Sequence, residues 1–322
     1  MTLKTLATKV LLSAALLAGL AGCVGYRATL REAASETNYP ASGRFVTVNG
    51  QRVHYEMKGT GPDLILIHGA LGNLRDMTFS LRDRLTDRYR VTTFDRPGFG
   101  YSDPLPDSGA SLLSQALVLQ AAARDIGVTN PIVMGHSYGG AVALSWGMNP
   151  DILPPSALVL VSAPTLPWPG KLDILYRVTG SPVGGTLVVP LITAFISDDY
   201  LNESLTGIFK PAAVPVGYDA FIGSGLTLRR TSLRANGKQV NILRDQLVAM
   251  EPGYPRLTLP VELVHGDKDT SVPLTIHAQP LSKLLPNAAL TIVPGAGHMP
   301  HHSDPQMIVD AIDRAAARAE LR

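Results

Sequence analysis

The sequence predicts an α/β fold: a mostly parallel sheet covered by helices on both faces, broken once by a long insertion. Two observations carry this. Short apolar runs alternate with longer segments whose apolar residues recur at helical spacing. The runs are apolar throughout, as strands buried on both faces require, instead of alternating with polar residues.

The elements follow in order. Phe45-Val46-Thr47-Val48 and Val53-His54-Tyr55-Glu56 flank Asn49-Gly50, the composition of a tight hairpin. Leu64-Ile65-Leu66-Ile67 reads as a buried strand ending at His68-Gly69. Leu74 to Arg88 follows as a helix with Met77, Leu81 and Leu85 on one side. Tyr89 to Phe94 is the next strand, and Leu112 to Ile126 a helix rich in Leu and Ala. Pro131-Ile132-Val133-Met134 is a strand and Ala141 to Trp146 begins a helix, with Gly135-His136-Ser137-Tyr138-Gly139-Gly140 between them. Ala157 to Val161 is another strand.

The rhythm breaks from about Pro164 to Leu259, a stretch with many prolines and glycines and no regular strand–helix beat. It resumes with the strand Val261–His265, a helix from Leu274 to Leu285, the strand Ala289–Val293 and a last helix from Asp304 to about Ala319. The expected organisation is a core of residues 44–163 and 260–322 with an insertion over 164–259.

The first residues read as an address. Lys4 and Lys9 precede an almost wholly apolar stretch from Val10 to Gly22, too short for a comfortable membrane span. Leu20-Ala21-Gly22-Cys23 resembles the lipobox of bacterial lipoproteins, in which the signal is removed and the cysteine carries lipid. The resemblance implies a signal over 1–22, lipidation at Cys23 and a tether over 23–43. It places the protein in a bacterial cell envelope. No Asp follows Cys23, which, in a Gram-negative cell, favours the periplasmic face of the outer membrane over the inner membrane. Cys23 is the single cysteine, so no intramolecular disulfide can form. Without the signal, 26 Lys and Arg face 26 Asp and Glu, and nothing points to nucleic acid.

Gly-x-Ser-x-Gly between a strand and a helix is the setting of a nucleophile elbow. Glycine lets the chain turn sharply there, so the Ser137 hydroxyl stands clear at the sheet edge. A serine hydroxyl needs a base, and the base an orienting acid. His298, in the glycine-containing loop after the last strand, is the candidate base; His301 and His302 lie further toward the final helix. Asp267 and Asp269, both in the loop after His265, are candidate acids, with Asp269 preferred. The amides of Ala70 and Tyr138 are placed to meet negative charge on an attacked carbonyl oxygen. His68 is expected to fix its loop by hydrogen bonds, Asp95 and Arg96 to brace loops, and Phe99 to line a substrate pocket. No metal-ligand spacing and no dinucleotide fingerprint are expected to matter, so no metal or cofactor is called for.

Together these residues resemble the α/β-hydrolase fold superfamily from about Phe45 to the carboxyl terminus. The motifs are His68-Gly69, Asp95-Arg96-Pro97-Gly98-Phe99-Gly100, Gly135-His136-Ser137-Tyr138-Gly139-Gly140, Asp269 with Val272-Pro273, and Gly297-His298. The resemblance implies that Ser137 attacks a carbonyl, His298 takes its proton, Asp269 orients His298, and water releases an acyl-enzyme. The insertion corresponds to the family's cap. Its apolar residues imply small or medium apolar esters as substrates, with Leu187 to Phe195 alternatively facing lipid. Dehalogenases and epoxide hydrolases of the superfamily use Asp where Ser137 stands. Carbon–carbon bond hydrolases, aminopeptidases and cofactor-free haloperoxidases remain alternatives, as does a membrane-tethered binding protein without chemistry.

Overall fold

The computed structural model describes residues 3–106 and 110–321. Eight strands form one sheet. They are β1 (Arg44–Val48), β2 (Gln51–Lys58), β3 (Asp63–Ile67), β4 (Arg90–Phe94), β5 (Ile132–His136), β6 (Ala157–Val161), β7 (Val261–Gly266) and β8 (Ala288–Val293). Their order is β1-β2-β4-β3-β5-β6-β7-β8. β1 and β2 form an antiparallel hairpin turned at Asn49 and Gly50, both at positive φ. β2 runs antiparallel to β4, and every later pairing is parallel.

The strands are apolar because both faces are covered. Ile65, Ile67, Val133, Leu158 and Leu160 face one core layer, with α3 (Leu112–Asp125) and α4 (Tyr138–Met148). Their neighbours Leu64, Leu66, Ile132, Met134 and Val159 face the other, with the last helix, α12 (Pro305–Arg318). After β3 the chain first adds β4 on one side, then crosses to add β5 on the other. The carboxyl ends of β3 and β5 therefore lie side by side at the point where strand order reverses, with Ile67 paired to Gly135. A crevice at such a switch point is the usual place for a ligand in an open α/β sheet.

Some elements differ from the sequence expectation. The helix expected over 74–88 is only α2 (Leu74–Phe79) and a short 3-10 turn, Arg82–Arg84. Ser80 leaves helical geometry at φ −140°, yet Met77, Leu81 and Leu85 still bury fully. The helix after β7 is shortened to α11 (Ala278–Leu284). Residues 164–259 hold α5 (Ile174–Gly180), α6 (Pro182–Phe195), α7 (Asp198–Phe209), α8 (Tyr218–Ile222), α9 (Arg230–Asn241) and α10 (Leu243–Met250), with no strand among them.

The segment expected to be a tether is largely helical. α1 runs without a break from Leu3 to Asn38, through the exposed Cys23. Its carboxyl half, rich in Ala, Glu and Arg, favours helix. Residues 24, 25, 28, 31, 32 and 35 share one less exposed face. That face packs on α6 and the start of α9. Arg27 donates to the Ala194 carbonyl at 2.8 Å, Arg31 to that of Ile196 at 2.6 Å, and Glu32 pairs with Arg230 at 2.6 Å. Residues 24–38 are thus bonded to the insertion instead of swinging free.

Candidate active site

Ser137 sits between β5 and α4 at φ 51°, ψ −126°. This is a conformation that non-glycine residues rarely adopt and that a tight turn must enforce. The flanking glycines allow the turn for a steric reason. A Cβ on Gly135 would lie 2.2 Å from the Gly139 carbonyl oxygen, and one on Gly139 would lie 2.4 Å from that of Ile67. The strand, the turn and the neighbouring β3 are packed backbone to backbone, which pushes the serine outward. Ser137 is half-buried, whereas Asp269 and His298 are buried.

His298 Nε2 lies 2.9 Å from Ser137 Oγ, and His298 Nδ1 lies 2.8 Å from Asp269 Oδ2. An ionised carboxylate only accepts, so Nδ1 carries the proton and Nε2 is free to accept the serine's. Asp269 is held in turn. Its Oδ1 accepts the Ser271 and Val272 amides, each at 2.9 Å, and Oδ2 lies 3.3 Å from His265 Nε2. Burial alone would push this carboxyl up. The nearby His265 ring and the hydrogen bonds from His298 and the Val272 amide outweigh it and hold the group below the usual carboxylate range. Asp267, the other candidate acid, instead accepts the Gly295 amide at 2.7 Å and faces Lys268 at 3.6 Å. It braces the two loops that carry Asp269 and His298.

The loop after β3 lies against the serine. A Cβ on Gly69 would come within 3.1 Å of that of Ser137. Among the described residues no hydrogen bond engages the amide of Ala70 in this loop, and Tyr138 is the first residue of α4, where an amide has no intrahelical acceptor. His68 fixes the loop. Its Nε2 accepts the Arg96 amide at 2.9 Å, so Nδ1 bears the hydrogen and donates to the Gly69 carbonyl at 2.8 Å. Burial and the adjacent Arg96 charge push this imidazole down to about 4, so it is neutral.

Arg96 is fully buried. It donates to the His68 carbonyl at 2.9 Å, to the Gly69 carbonyl at 2.8 Å, and to the side-chain oxygens of Gln115 and Gln239, both at 2.8 Å. The rings of Phe99 and Tyr138 lie 4.5 and 4.6 Å from its guanidinium carbon. Four neutral acceptors and two aromatic faces hold a cation that burial drives down to about 10. Phe99 is therefore a correction to the sequence expectation. It is wholly buried against Arg96 and His68 and offers no surface to a substrate. Asp95 braces loops as expected, accepting the Leu74 and Tyr101 amides, each at 2.8 Å, and meeting His54 at 2.6 Å.

Several contributors were not singled out from sequence. His265 donates to the Val272 carbonyl at 2.7 Å, which holds the loop that carries Asp269. His136 lends its Nε2 hydrogen to the His298 carbonyl at 2.9 Å, which steadies the loop of the candidate base. From α9, Asn236 accepts the Leu71 amide at 3.2 Å, while Gln239 engages both Arg96 and, at 3.0 Å, the Pro97 carbonyl. Asp76, His301 and His302 form a cluster of metal-binding composition. Asp76 Oδ1 lies 2.7 Å from His302 Nε2, 3.4 Å from His301 Nε2 and 2.8 Å from the Tyr218 hydroxyl. All three groups converge on the same carboxylate oxygen.

A model of the alpha/beta hydrolase family matches residues 64–311. The chain belongs to that family. Strands β4 to β8, β3 from Leu64, the turn at Ser137, and Asp269 and His298 all lie inside the matched segment. This alpha/beta hydrolase is 28% identical over 295 residues to an uncharacterized protein of Mycobacterium tuberculosis, covering 85% of this chain and 81% of that one. A solved thermophilic esterase from Thermogutta terrifontis has the same fold at a TM-score of 0.69 and 19% identity, over 87% of this chain and 99% of the esterase. A solved bacterial membrane phospholipase A has it at a TM-score of 0.64 and 24% identity, over 96% of this chain and 99% of the phospholipase. The protein is a hydrolase by family.

Proposed function

We propose that this hydrolase cleaves carboxylic esters of small or medium apolar substrates through an acyl-enzyme on Ser137. The reading rests on one observation above all: His298 stands between Ser137 Oγ and Asp269, within hydrogen-bond reach of both. As Ser137 Oγ attacks the ester carbonyl, its proton passes to His298 Nε2. The imidazolium that forms is stabilised by the Asp269 carboxylate. The carbonyl oxygen becomes an oxyanion, which the Ala70 and Tyr138 amides receive, and the α4 dipole adds to the same end. His298 returns the proton to the leaving alcohol. Water then attacks the acyl-enzyme by the same route in reverse.

The protein acts at a membrane in this reading, held by the amino-terminal apolar segment or by lipid on Cys23. The names of its structural neighbours, an esterase and a membrane phospholipase, agree with both parts.

The test is a series of p-nitrophenyl esters of increasing acyl length with the full chain in detergent. Turnover of at least one ester, fluorophosphonate labelling of the protein, and loss of both in Ser137→Ala are expected. A chain that hydrolyses none of the series and resists labelling refutes the proposal.

A further inference from the structure

The helix α6 is built inside out for a protein in water. Its fourteen residues, Pro182–Phe195, contain no charged side chain. The residues it turns toward the domain are mostly small: Gly184, Gly185, Val189, Thr193 and Ala194 are buried. Large apolar residues point the other way. Val183 is 69% exposed, Leu187 63%, Leu191 46% and Phe195 56%. They recur every four residues, which places them along one side. A surface helix in water carries the reverse pattern.

A second observation says what covers this side. α1 packs on α6, and α1 carries a further run of exposed apolar side chains. Leu11, Leu12, Leu16, Leu17 and Leu20 are all more than half exposed. The helix is continuous, so the apolar segment is joined to α6 through a rigid element bonded by Arg27 and Arg31 at Ala194 and Ile196. The Arg27 guanidinium also lies 5.1 Å from the centre of the Phe195 ring. A cation over an aromatic ring at the edge of an apolar strip is an arrangement suited to the headgroup boundary of a bilayer.

We propose that the Val183, Leu187, Leu191 and Phe195 side of α6 docks on the lipid bilayer, holding the cap against the membrane. This rests on the membrane attachment proposed above. Whether the anchor is the apolar segment or lipid on Cys23, it enters the bilayer at the end of α1 that leads into the α6 contact. A second copy of the chain is the competing occupant.

The experiment uses the full chain reconstituted in phosphatidylcholine vesicles containing doxyl-labelled lipid. Leu187→Trp is compared with Leu113→Trp, an exposed leucine of α3, each read against the unsubstituted chain. Flotation with the vesicles reads the anchor separately. The expected result is flotation of all three proteins and at least about twofold stronger lipid quenching of the indole at 187 than at 113. Flotation with equal quenching at the two positions overturns the docking and leaves the anchor standing. A chain that does not float, or an indole at 187 shielded from lipid by a second copy, overturns it too. No outcome depends on ester turnover, so failure here is separate from failure of the chemistry.

Discussion

Replacing Asp269 by Asn tests the relay most sharply. The substitution is isosteric, and its oxygen can keep the Ser271 and Val272 amides that Asp269 Oδ1 accepts at 2.9 Å. The amide nitrogen then occupies the place of Oδ2, 2.8 Å from His298 Nδ1. A donor at that position forces Nδ1 to accept, so the ring hydrogen moves to Nε2. Nε2 lies 2.9 Å from Ser137 Oγ and can no longer take its proton. The charge that would stabilise the imidazolium is lost as well. The same substitution in the worked serine-protease template lowers kcat by about 10⁴, so a fall of about 10³–10⁴ is expected here. At 1.36 kcal/mol per decade that is about 4–5.5 kcal/mol of transition-state stabilisation. The assay is p-nitrophenyl ester hydrolysis by the full chain, with a thermal melt to establish that the variant is folded. Asp267→Asn serves as the comparison, with activity within about tenfold of the parent, because its carboxylate only braces a loop through the Gly295 amide. The reasoning fails if folded Asp269→Asn keeps more than about a tenth of parental kcat. It fails equally if Asp267→Asn is the more damaged variant.

Other outcomes follow from the surrounding structure. Arg96→Lys keeps the charge but cannot reach four separate acceptors. It should lower the melting temperature and reduce kcat more than it raises KM, since in the proposed mechanism the loop it clamps acts only as the oxyanion forms. Gly139→Ala places a Cβ 2.4 Å from the Ile67 carbonyl oxygen and should cost about 2 kcal/mol or more in a denaturant titration. The pH dependence of stability is read from buried imidazoles. Burial lowers His277, which accepts the Thr165 and Leu166 amides, to about 4, and His68 and His301 to about 4 likewise. The unfolded chain binds protons there near pH 6.5 and the folded chain does not. Stability should therefore fall as pH drops from about 6.5 toward 4, by up to about 1.4 kcal/mol per pH unit for each such histidine. His277→Asn keeps an acceptor for the two amides and should reduce the slope of urea stability between pH 6 and pH 5 by about one proton. The depressed Asp269 carboxyl adds a further loss, beginning near pH 5 and growing as pH falls through about 4.

The sheet was legible because its signals are local. Four or five apolar residues bounded by turn residues define each strand, and alternation with helices dictates parallel pairing. Ser137 was legible for the same reason, since the glycines that force its turn lie two residues away on each side. Asp269 and His298 were legible as candidates from their loops after two late strands, but their meeting depends on strand order, which brings residues 29 positions apart in sequence to 2.8 Å. The support of Arg96 was illegible. One of its acceptors, Gln239, comes from the insertion 143 positions away, and nothing in the local pattern of α9 points to that bond. The shortened helices have a related cause: Met77, Leu81 and Leu85 bury as a helix would have them, although the backbone breaks at Ser80. Residues 24–38 were misread because a polar Ala-, Glu- and Arg-rich stretch suits both a linker and a helix. The choice depended on Arg230 and the carbonyls at the end of α6.

The bonds from α9 constrain how a substrate can enter. Asn236 and Gln239 join one helix of the insertion to the Leu71 amide, the Pro97 carbonyl and the Arg96 side chain. Any opening that lifted this helix would also strip Arg96 of an acceptor and release the segment carrying Ala70. Admission by that route and chemical competence would then exclude each other in time. Fast turnover requires the remaining helices of the insertion to yield while α9 stays seated, so mobility and rigidity are divided between neighbouring parts of a single cover.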